Sequence, residues 1–270
     1  MSEKVSYIPE GFHTVTPYLV NSGTARLIDY LKQAFDARET FRMARPDGTI
    51  GHASIRIGDS MVEMADPMAG GKAMPSALHM YVANADEVYR RAVHSGATSL
   101  YEPKDMPYGD HEGGVKDPAG NDWYIATHRG SNHFAPKAFR CVTPGLSVSG
   151  ARKLLEFLEK AFAANVVGKH ETASGTIGHA TVRIGDSVVE CSEAHGQWGT
   201  RTATLHVYVP DTDAVYAQAL AAGATSLQEP KDQFYGERNG GVMDAWGNHW
   251  YIATHREALS AAELERRAAG

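Results

Sequence analysis

The sequence Tyr-Ile-Ala-Thr-His occupies residues 124–128 and returns letter for letter at residues 251–255. The same offset of 127 residues (251 minus 124) separates Gly-His-Ala at 51–53 from Gly-His-Ala at 178–180. A repeat that runs this far without a gap indicates two copies of one folded unit rather than a solenoid of short turns. Each copy is long enough to form a domain.

Length and composition agree with a two-domain globular protein. The chain has 270 residues, of which 43% are apolar and 21% are charged, and such values are typical of soluble globular domains. We therefore predict one domain at residues 1–133, a second at 134–257 and a helical tail at 258–270. The tail opens with Ser260 and Glu263 at the spacing of a capping box, which favours the start of a helix.

The net charge limits the classes of binding partner, and the cysteine content indicates the cellular compartment. The net charge is −6 and no basic stripe is present, so nucleic acid and anionic membranes are not expected partners. No apolar run approaches the ~18 residues of a membrane helix, and no signal peptide is recognisable. Cys141 and Cys191 have Thr14 and Met64 at the equivalent places of the first copy. They are predicted to be free thiols in a cytoplasmic protein, with a disulfide as the alternative.

The periodicity of each copy predicts two modules of strand, helix and three strands. Apolar residues at i, i+1, i+4 and i+8 from Leu27 form one helical stripe, and Gly58-Asp59 links two alternating segments as a hairpin turn. The same order then recurs within the copy and includes a strand predicted at 113–117. Four βαβββ modules in tandem predict an α+β fold.

Three short motifs add a family resemblance. The paired modules, the Gly58-Asp59 hairpin and the run from Tyr-Gly at 108–109 to Asp-Pro-Ala-Gly-Asn at 117–121 resemble the vicinal oxygen chelate superfamily of glyoxalases, bleomycin resistance proteins and dioxygenases. Thr-Val-Thr-Pro-Tyr at 14–18 narrows the resemblance to one branch. The chain looks most like the PhnB-like branch. The resemblance implies that the two modules of each copy form a cup-shaped, mostly antiparallel sheet that holds a ligand. A tandem chain would build a pseudo-dimer within one molecule, so we expect a monomer or a homodimer.

The resemblance also implies four metal-ligand positions, on the first, fourth, fifth and eighth strands of a copy. In this sequence they hold Thr16, Glu63, Ala77 and Tyr124, and in the second copy Thr143, Glu190, Thr204 and Tyr251. Zinc, nickel and iron sites need three or four His, Cys or carboxylate donors. Each copy keeps a single glutamate, so we predict no metal and no other cofactor.

Strand alternation extends the predicted cup lining beyond those positions. His79 and Tyr81 follow Ala77 by two and four residues and share its face. The candidate catalytic residues are a glutamate, a histidine and a tyrosine from each copy, namely Glu63, His79 and Tyr124, and Glu190, His206 and Tyr251. The candidate ligand-binding residues are Tyr18, Tyr81, Trp198, Tyr208 and Arg238. Alternatively, each glutamate and histidine of one copy form a buried hydrogen-bonded pair, and the strand tyrosines only pack.

If only one copy is active, the second is favoured. Gly145 replaces Tyr18 there and would enlarge the cup. Trp198 lies in a Gly-containing loop and is suited to stacking at the mouth. The residues predicted to converge beside it are Glu190, His206 and Tyr251.

Three functions follow from these residues. The first is a metal-independent protein of the bleomycin-resistance kind that binds a small organic molecule in a hollow lined by Glu, His and Tyr. The second is a lyase or isomerase in which Glu and His act as acid and base on a carbonyl substrate, with a tyrosine as donor to the oxyanion. The third, a metal-dependent glyoxalase or dioxygenase, is the least favoured because the inherited ligands are missing.

Overall fold

The computed structural model describes residues 5–130, 133–196 and 198–268. In these ranges the first half of the chain contains β1 (Val15–Val20), α1 (Thr24–Phe35), β2 (Arg38–Ala44), β3 (Ile50–Ile57), β4 (Ser60–Ala65), β5 (Ala77–Tyr81), α2 (Ala85–His94), β6 (Thr98–Asp105), β7 (Asp110–Lys116) and β8 (Asp122–His128). The second half contains β9 (Val142–Val148), α3 (Ala151–Phe162), β10 (Asn165–Glu171), β11 (Ile177–Ile184), β12 (Ser187–Glu193), β13 (Thr204–Tyr208), α4 (Thr212–Ala221), β14 (Thr225–Asp232), β15 (Glu237–Met243), β16 (His249–His255) and α5 (Ala261–Ala268). The α+β class and the four tandem βαβββ modules are confirmed.

The first helix of each half begins in the same unusual way. Gly23 precedes α1 with φ 79° and Gly150 precedes α3 with φ 89°, a left-handed conformation that glycine adopts without a Cβ clash. Glycine has no side chain to cap a helix, so a carboxylate at the end of β12, or directly after β4, takes that role. Asp66 accepts hydrogen bonds from the N–H groups of Gly23 (2.6 Å) and Thr24 (3.1 Å), and Glu193 accepts one from Gly150 (2.8 Å). A negative charge at this end of a helix is also favoured by the helix dipole.

The two sheets join modules from different halves. Sheet A runs β14-β15-β16-β13-β1-β4-β3-β2, and sheet B runs β10-β11-β12-β9-β5-β8-β7-β6. The joins are antiparallel, with Thr16 opposite His206 in sheet A and Ala77 opposite Gly145 in sheet B. Each sheet therefore combines one module of the first copy with one module of the second. The sequence prediction, in contrast, builds each cup from the two modules of a single copy.

The hydrophobic core follows the halves instead. In the first half α1 packs on α2, and the ring of Phe35 lies 4.8 Å from that of the fully buried Trp123. In the second half α3 packs on α4, and Phe162 lies 4.7 Å from Trp250. Each half thus has its own core, apart from Val15, which packs in the second core, and Val142, which packs in the first. The strand pairing ties the halves together through both sheets.

Outside the two sheets, the predicted tail helix is present as α5. The hydroxyl of Ser260 accepts a hydrogen bond from the N–H of Glu263 (3.2 Å), as the capping box predicts. Cys141 and Cys191 are free thiols. No helix among the described residues is long and apolar enough to cross a membrane.

Candidate functional site

Each sheet carries one cluster of buried polar side chains. The cluster lies on the face opposite the core, at the place where the two modules of the sheet meet. The Glu63 cluster on sheet A consists of Tyr18, His52, Glu63, His206, Tyr208, Glu237, Asn239 and Tyr251. The Glu190 cluster on sheet B consists of His79, Tyr81, Tyr101, Asp110, Glu112, Tyr124, His179, Glu190 and Trp198. Each cluster takes its central glutamate from one half of the chain and its central histidine from the other.

This arrangement corrects the predicted Glu–His pairs. The sequence paired Glu63 with His79 and Glu190 with His206, and both pairs are wrong. His206 Nδ1 lies 2.9 Å from Glu63 Oε2, and His79 Nδ1 lies 3.1 Å from Glu190 Oε2. The reason is the sheet order, because the fourth strand of each copy reaches the fifth strand of the other copy across the β1–β13 or β5–β9 join.

The predicted convergence beside Trp198 is wrong for the same reason. The Trp198 ring lies 5.3 Å from that of Tyr124, in the Glu190 cluster. Tyr251 lies in the other cluster, where its ring is 6.0 Å from that of Tyr18. Of the predicted group, Glu190 and Trp198 belong to the Glu190 cluster, whereas His206 and Tyr251 belong to the Glu63 cluster.

In the Glu190 cluster, one imidazole lies between two carboxylates. His79 Nδ1 contacts Glu190, and its Nε2 lies 3.2 Å from Glu112 Oε2. Burial alone would lower the pKa of His79, but the neighbouring carboxylates of Glu190 and Glu112 raise it to about 10. The other oxygen of Glu112 accepts hydrogen bonds from the hydroxyls of Tyr101 and Tyr108. A charged, fully oriented group therefore lies at the centre of the cluster.

Glu190 is held by two histidines. Besides His79, the half-exposed His179 places its Nε2 at 3.2 Å from Glu190 Oε1. Burial alone would raise the pKa of Glu190, but the two imidazoles lower it to about 2. Glu190 is therefore ionised across the physiological pH range.

Asp110 and Glu112 were missed by the sequence analysis. The strand was predicted to begin at residue 113, but β7 begins at Asp110, so that Asp110 and Glu112 share one face. Asp110 accepts a hydrogen bond from the Tyr81 hydroxyl (2.8 Å) and contacts His128 Nδ1 (2.7 Å). The alternation of these two acidic residues just before the Gly-Gly pair was the available signal. Donor atoms of His79, Asp110 and Glu112 all lie within 4.8 Å of one another, a spacing at which they could hold a metal ion.

An aromatic wall lines one side of the Glu190 cluster. The rings of Tyr101 and Tyr124 stack at 6.4 Å, and Trp198 presents its edge to them at 5.8 and 5.3 Å. The Lys104 ammonium lies 5.5 Å above the Tyr101 ring. Gly145, beside Glu190 in the register, adds no side chain to this face. These residues form an amphipathic surface next to buried charge.

In the Glu63 cluster, aromatic side chains fill the equivalent space. Tyr18 takes the place of Gly145, and its hydroxyl lies 3.2 Å from His52 Nδ1. The Phe41 ring lies 5.8 Å from the His52 ring. Burial raises the pKa of Tyr18 far above its usual range, which keeps its hydroxyl protonated.

The central pair of this cluster is also charged. Burial would raise the pKa of Glu63 and lower that of His206, but their mutual attraction reverses both effects. The pKa of His206 rises to about 9, and that of Glu63 falls below its usual value. His206 Nε2 lies 3.5 Å from Glu237 and 3.4 Å from the amide of Asn239. Asn239 is the counterpart of Glu112, so this cluster has one carboxylate fewer.

Three candidate ligand-binding residues have other contacts. Tyr81 and Tyr208 are almost fully buried, and each stacks at 4.4 Å on the central histidine of its cluster. Arg238 lies between Glu237 and Asn239 on β15 and therefore points to the opposite face, where it pairs with Asp213. It has no hydrogen bond or ion pair to either cluster.

Comparison with known proteins identifies the repeated unit. The family model described as "Glyoxalase/Bleomycin resistance protein/Dioxygenase superfamily" matches residues 12–125 and again residues 131–252. Uncharacterized proteins of Mycobacterium bovis and Mycobacterium tuberculosis are each 37% identical over 122 residues. The matched segment covers 41% of this chain and 80% and 72% of those proteins, respectively.

The whole chain also resembles a solved structure. The crystal structure of glyoxalase I from Zea mays superposes with a TM-score of 0.68 over 93% of this chain and 94% of the maize protein. The two sequences are 13% identical in that superposition. At this identity the likeness shows the fold alone.

Proposed function

Because the chain belongs to the Glyoxalase/Bleomycin resistance protein/Dioxygenase superfamily, we propose that it binds a small organic molecule at the Glu190 cluster. One observation carries this proposal: the aromatic wall of Tyr101, Tyr124 and Trp198 lies beside the buried Glu190–His79 pair, with glycine at position 145. Apolar, aromatic surface with a few oriented polar groups is the usual composition of a small-molecule site. The ligand class that fits is a planar organic molecule with a polar edge.

The binding that we propose does not use the inherited metal positions. With the observed sheet order, those positions on sheet B hold Thr143, Glu190, Ala77 and Tyr124, and on sheet A Thr16, Glu63, Thr204 and Tyr251. Each set still contains a single carboxylate as its only strong donor. The organic ligand is therefore held by protein groups, without a metal at the four family positions.

Aromatic stacking gives the test of binding. Tryptophan fluorescence of the full chain would be followed during a screen of planar organic compounds, since Trp198 is the tryptophan within the Glu190 cluster. For a compound that binds, Trp198→Ala should weaken the affinity, measured by calorimetry, about tenfold. Trp246→Ala is the matched control, because Trp246 is half-buried against Phe157, away from the cluster. Equal affinities of the two variants would contradict the proposal.

The second candidate function is a lyase or isomerase at the same cluster. Its supporting observation is that Glu190 contacts both His79 and the half-exposed His179, an arrangement through which a proton could pass outward. Tyr124 would be the donor to a developing oxyanion. Glu190→Gln should then lower turnover by roughly 10²–10⁴ and leave binding nearly intact. In a binder, the same change has no turnover to lower, so an activity screen with carbonyl compounds separates the two.

The remaining expectations stand as parts of this proposal. We propose a cytoplasmic monomer or homodimer whose partner is a small molecule rather than nucleic acid or a membrane. The domain boundaries at 133/134 and 257/258 stay predictions. His206, Tyr251, Tyr18 and Tyr208 belong to the Glu63 cluster, which we propose to be the less accessible of the two.

A further inference from the structure

We infer that His79, Asp110 and Glu112 form a site for a first-row divalent metal ion, at a position different from the four inherited by the family. The donors come from β5 and β7 only, and none of them occupies a family ligand position. The inference goes beyond the proposed function, because it concerns a metal ion and is tested without any organic ligand.

The spacing of the donors fits one ion. A ligand atom of each residue lies within 4.8 Å of the other two. His79 Nε2 and Glu112 Oε2 are 3.2 Å apart. Two ligands that are each about 2.1 Å from a metal ion are separated by about 3.0–3.4 Å in octahedral or tetrahedral geometry. The two atoms therefore already have the separation of neighbouring ligands.

The second observation is a buried nitrogen without a hydrogen-bond partner. His79 is 7% exposed, and its Nε2 is buried and makes no aligned hydrogen bond, although Glu112 is close. Its Nδ1 contacts the Glu190 carboxylate. Histidines that bind metals commonly donate from the second nitrogen to a carboxylate, which fixes the ring and directs the first nitrogen to the ion. His79 has this orientation.

Each carboxylate of the group is also held from outside. Tyr81 and His128 contact Asp110, and the Tyr101 and Tyr108 hydroxyls contact one oxygen of Glu112, leaving the other oxygen directed at His79. Such outer contacts orient the ligands of metal sites. With Glu190, three carboxylates surround one charged imidazole, and a divalent ion that displaces the proton from His79 Nε2 would offset more of this negative charge.

The donor types select the class of ion. One imidazole with two carboxylates suits zinc, manganese and iron in the divalent state, because imidazole favours the later transition metals and carboxylate the harder ions. Three protein donors leave coordination positions open for water. Positions next to the aromatic wall could then receive a polar group of an organic ligand.

The other cluster supplies a control within the same chain. The counterparts of His79, Asp110 and Glu112 are His206, Glu237 and Asn239. The neutral amide of Asn239 replaces the charged carboxylate, and among the described residues only the Glu190 cluster has a group of three donors at metal-binding spacing. We therefore expect one ion per chain, not two.

The test uses the full chain after treatment with a chelator, titrated calorimetrically with Zn²⁺ and with Mn²⁺. At least one of these ions should bind with one equivalent per chain, and Glu112→Gln should weaken that ion at least about 100-fold, since even outer contacts of metal sites are worth 10–100-fold. Glu237→Gln, the matched change in the other cluster, should leave the affinity unchanged. Less than about 0.1 equivalent of either ion on the wild-type protein would overturn the inference, as would equal affinities of Glu112→Gln and wild type.

A gain-of-site variant guards against misfolding of Glu112→Gln. Asn239→Glu completes the group on sheet A and should raise the stoichiometry from one equivalent to two. Unchanged stoichiometry with this variant, together with undiminished binding by Asp110→Asn, would also reject the site. The outcome is independent of the organic-ligand proposal, whose own test measures Trp198→Ala.

Discussion

The Glu63 and Glu190 clusters are built on equivalent strands of two sheets, yet the Glu63 side chain is 4% exposed and the Glu190 side chain 15%. In the Glu63 cluster, Tyr18 and Phe41 lie against His52. Their counterparts in the Glu190 cluster are Gly145 and Gly168, which add no side chain. The comparison indicates that the repeat preserves the charged Glu–His pair while the surrounding residues decide whether a ligand can reach it.

The largest expected effect is a loss in the free energy of unfolding when either central histidine is replaced. His206→Leu leaves Glu63, which is 3% exposed, without its main partner, and loss of one partner of a buried pair costs about 3–5 kcal/mol in the free energy of unfolding. His79→Leu should cost more, because it leaves both Glu190 and Glu112 without the imidazole that lies between them. Urea denaturation of both variants in chelator measures the difference. Equal losses would show that the two pairs are equivalent despite their surroundings.

The next prediction concerns a substitution that covers the Glu190 cluster. Gly145→Tyr gives the Glu190 cluster the residue that the Glu63 cluster has at the equivalent position, Tyr18. A Cβ at position 145 meets Ala77 at ordinary contact distance, 3.6 Å. Affinity for any ligand found by the fluorescence screen should fall at least about tenfold, since the change covers the charged pair that a ligand would contact. The free energy of unfolding should change little. Retained affinity would mean that the ligand binds elsewhere.

The pH dependence of the free energy of unfolding tests the charged pair of the Glu63 cluster. Folding raises the pKa of His206 from 6.5 to about 9, because the charge of Glu63 outweighs the effect of burial. A group whose pKa rises on folding stabilises the fold fully below its unfolded pKa and loses that contribution as pH increases. The loss therefore spans pH 6.5 to 9. Within this window His206→Gln should reduce the slope of the free energy of unfolding against pH by at most about 1.4 kcal/mol per pH unit, the value for one proton. Parallel curves for the variant and the wild type would contradict the assigned pair of His206 and Glu63.

The smallest effect concerns Arg238. Its side chain pairs with Asp213 on the face away from the Glu63 cluster. Arg238→Ala should leave ligand and metal binding unchanged and affect the free energy of unfolding little, because exposed ion pairs contribute little. A loss of binding comparable to that of Trp198→Ala would place Arg238 in the site after all.

The sequence by itself determined the modules and the faces of their strands. The 127-residue offset, the apolar stripe from Leu27 and the hairpin at Gly58 predict four βαβββ modules, and the structure contains them. Strand alternation assigns Glu63, His79, Glu190 and His206 to the face opposite their apolar neighbours, and those neighbours lie in the core. These features are local, since helix and strand periods depend on residues a few positions apart.

Only the tertiary structure decided which modules share a sheet. The two copies are so similar that β1 presents nearly the same pairing pattern to β5 as to β13, and alternation says nothing about the partner strand. The observed order exchanges the partners, so Glu63 meets His206 and Glu190 meets His79. The same folding brings Asp110 and Glu112 of β7 against His79, a contact between residues about thirty positions apart that no local period specifies.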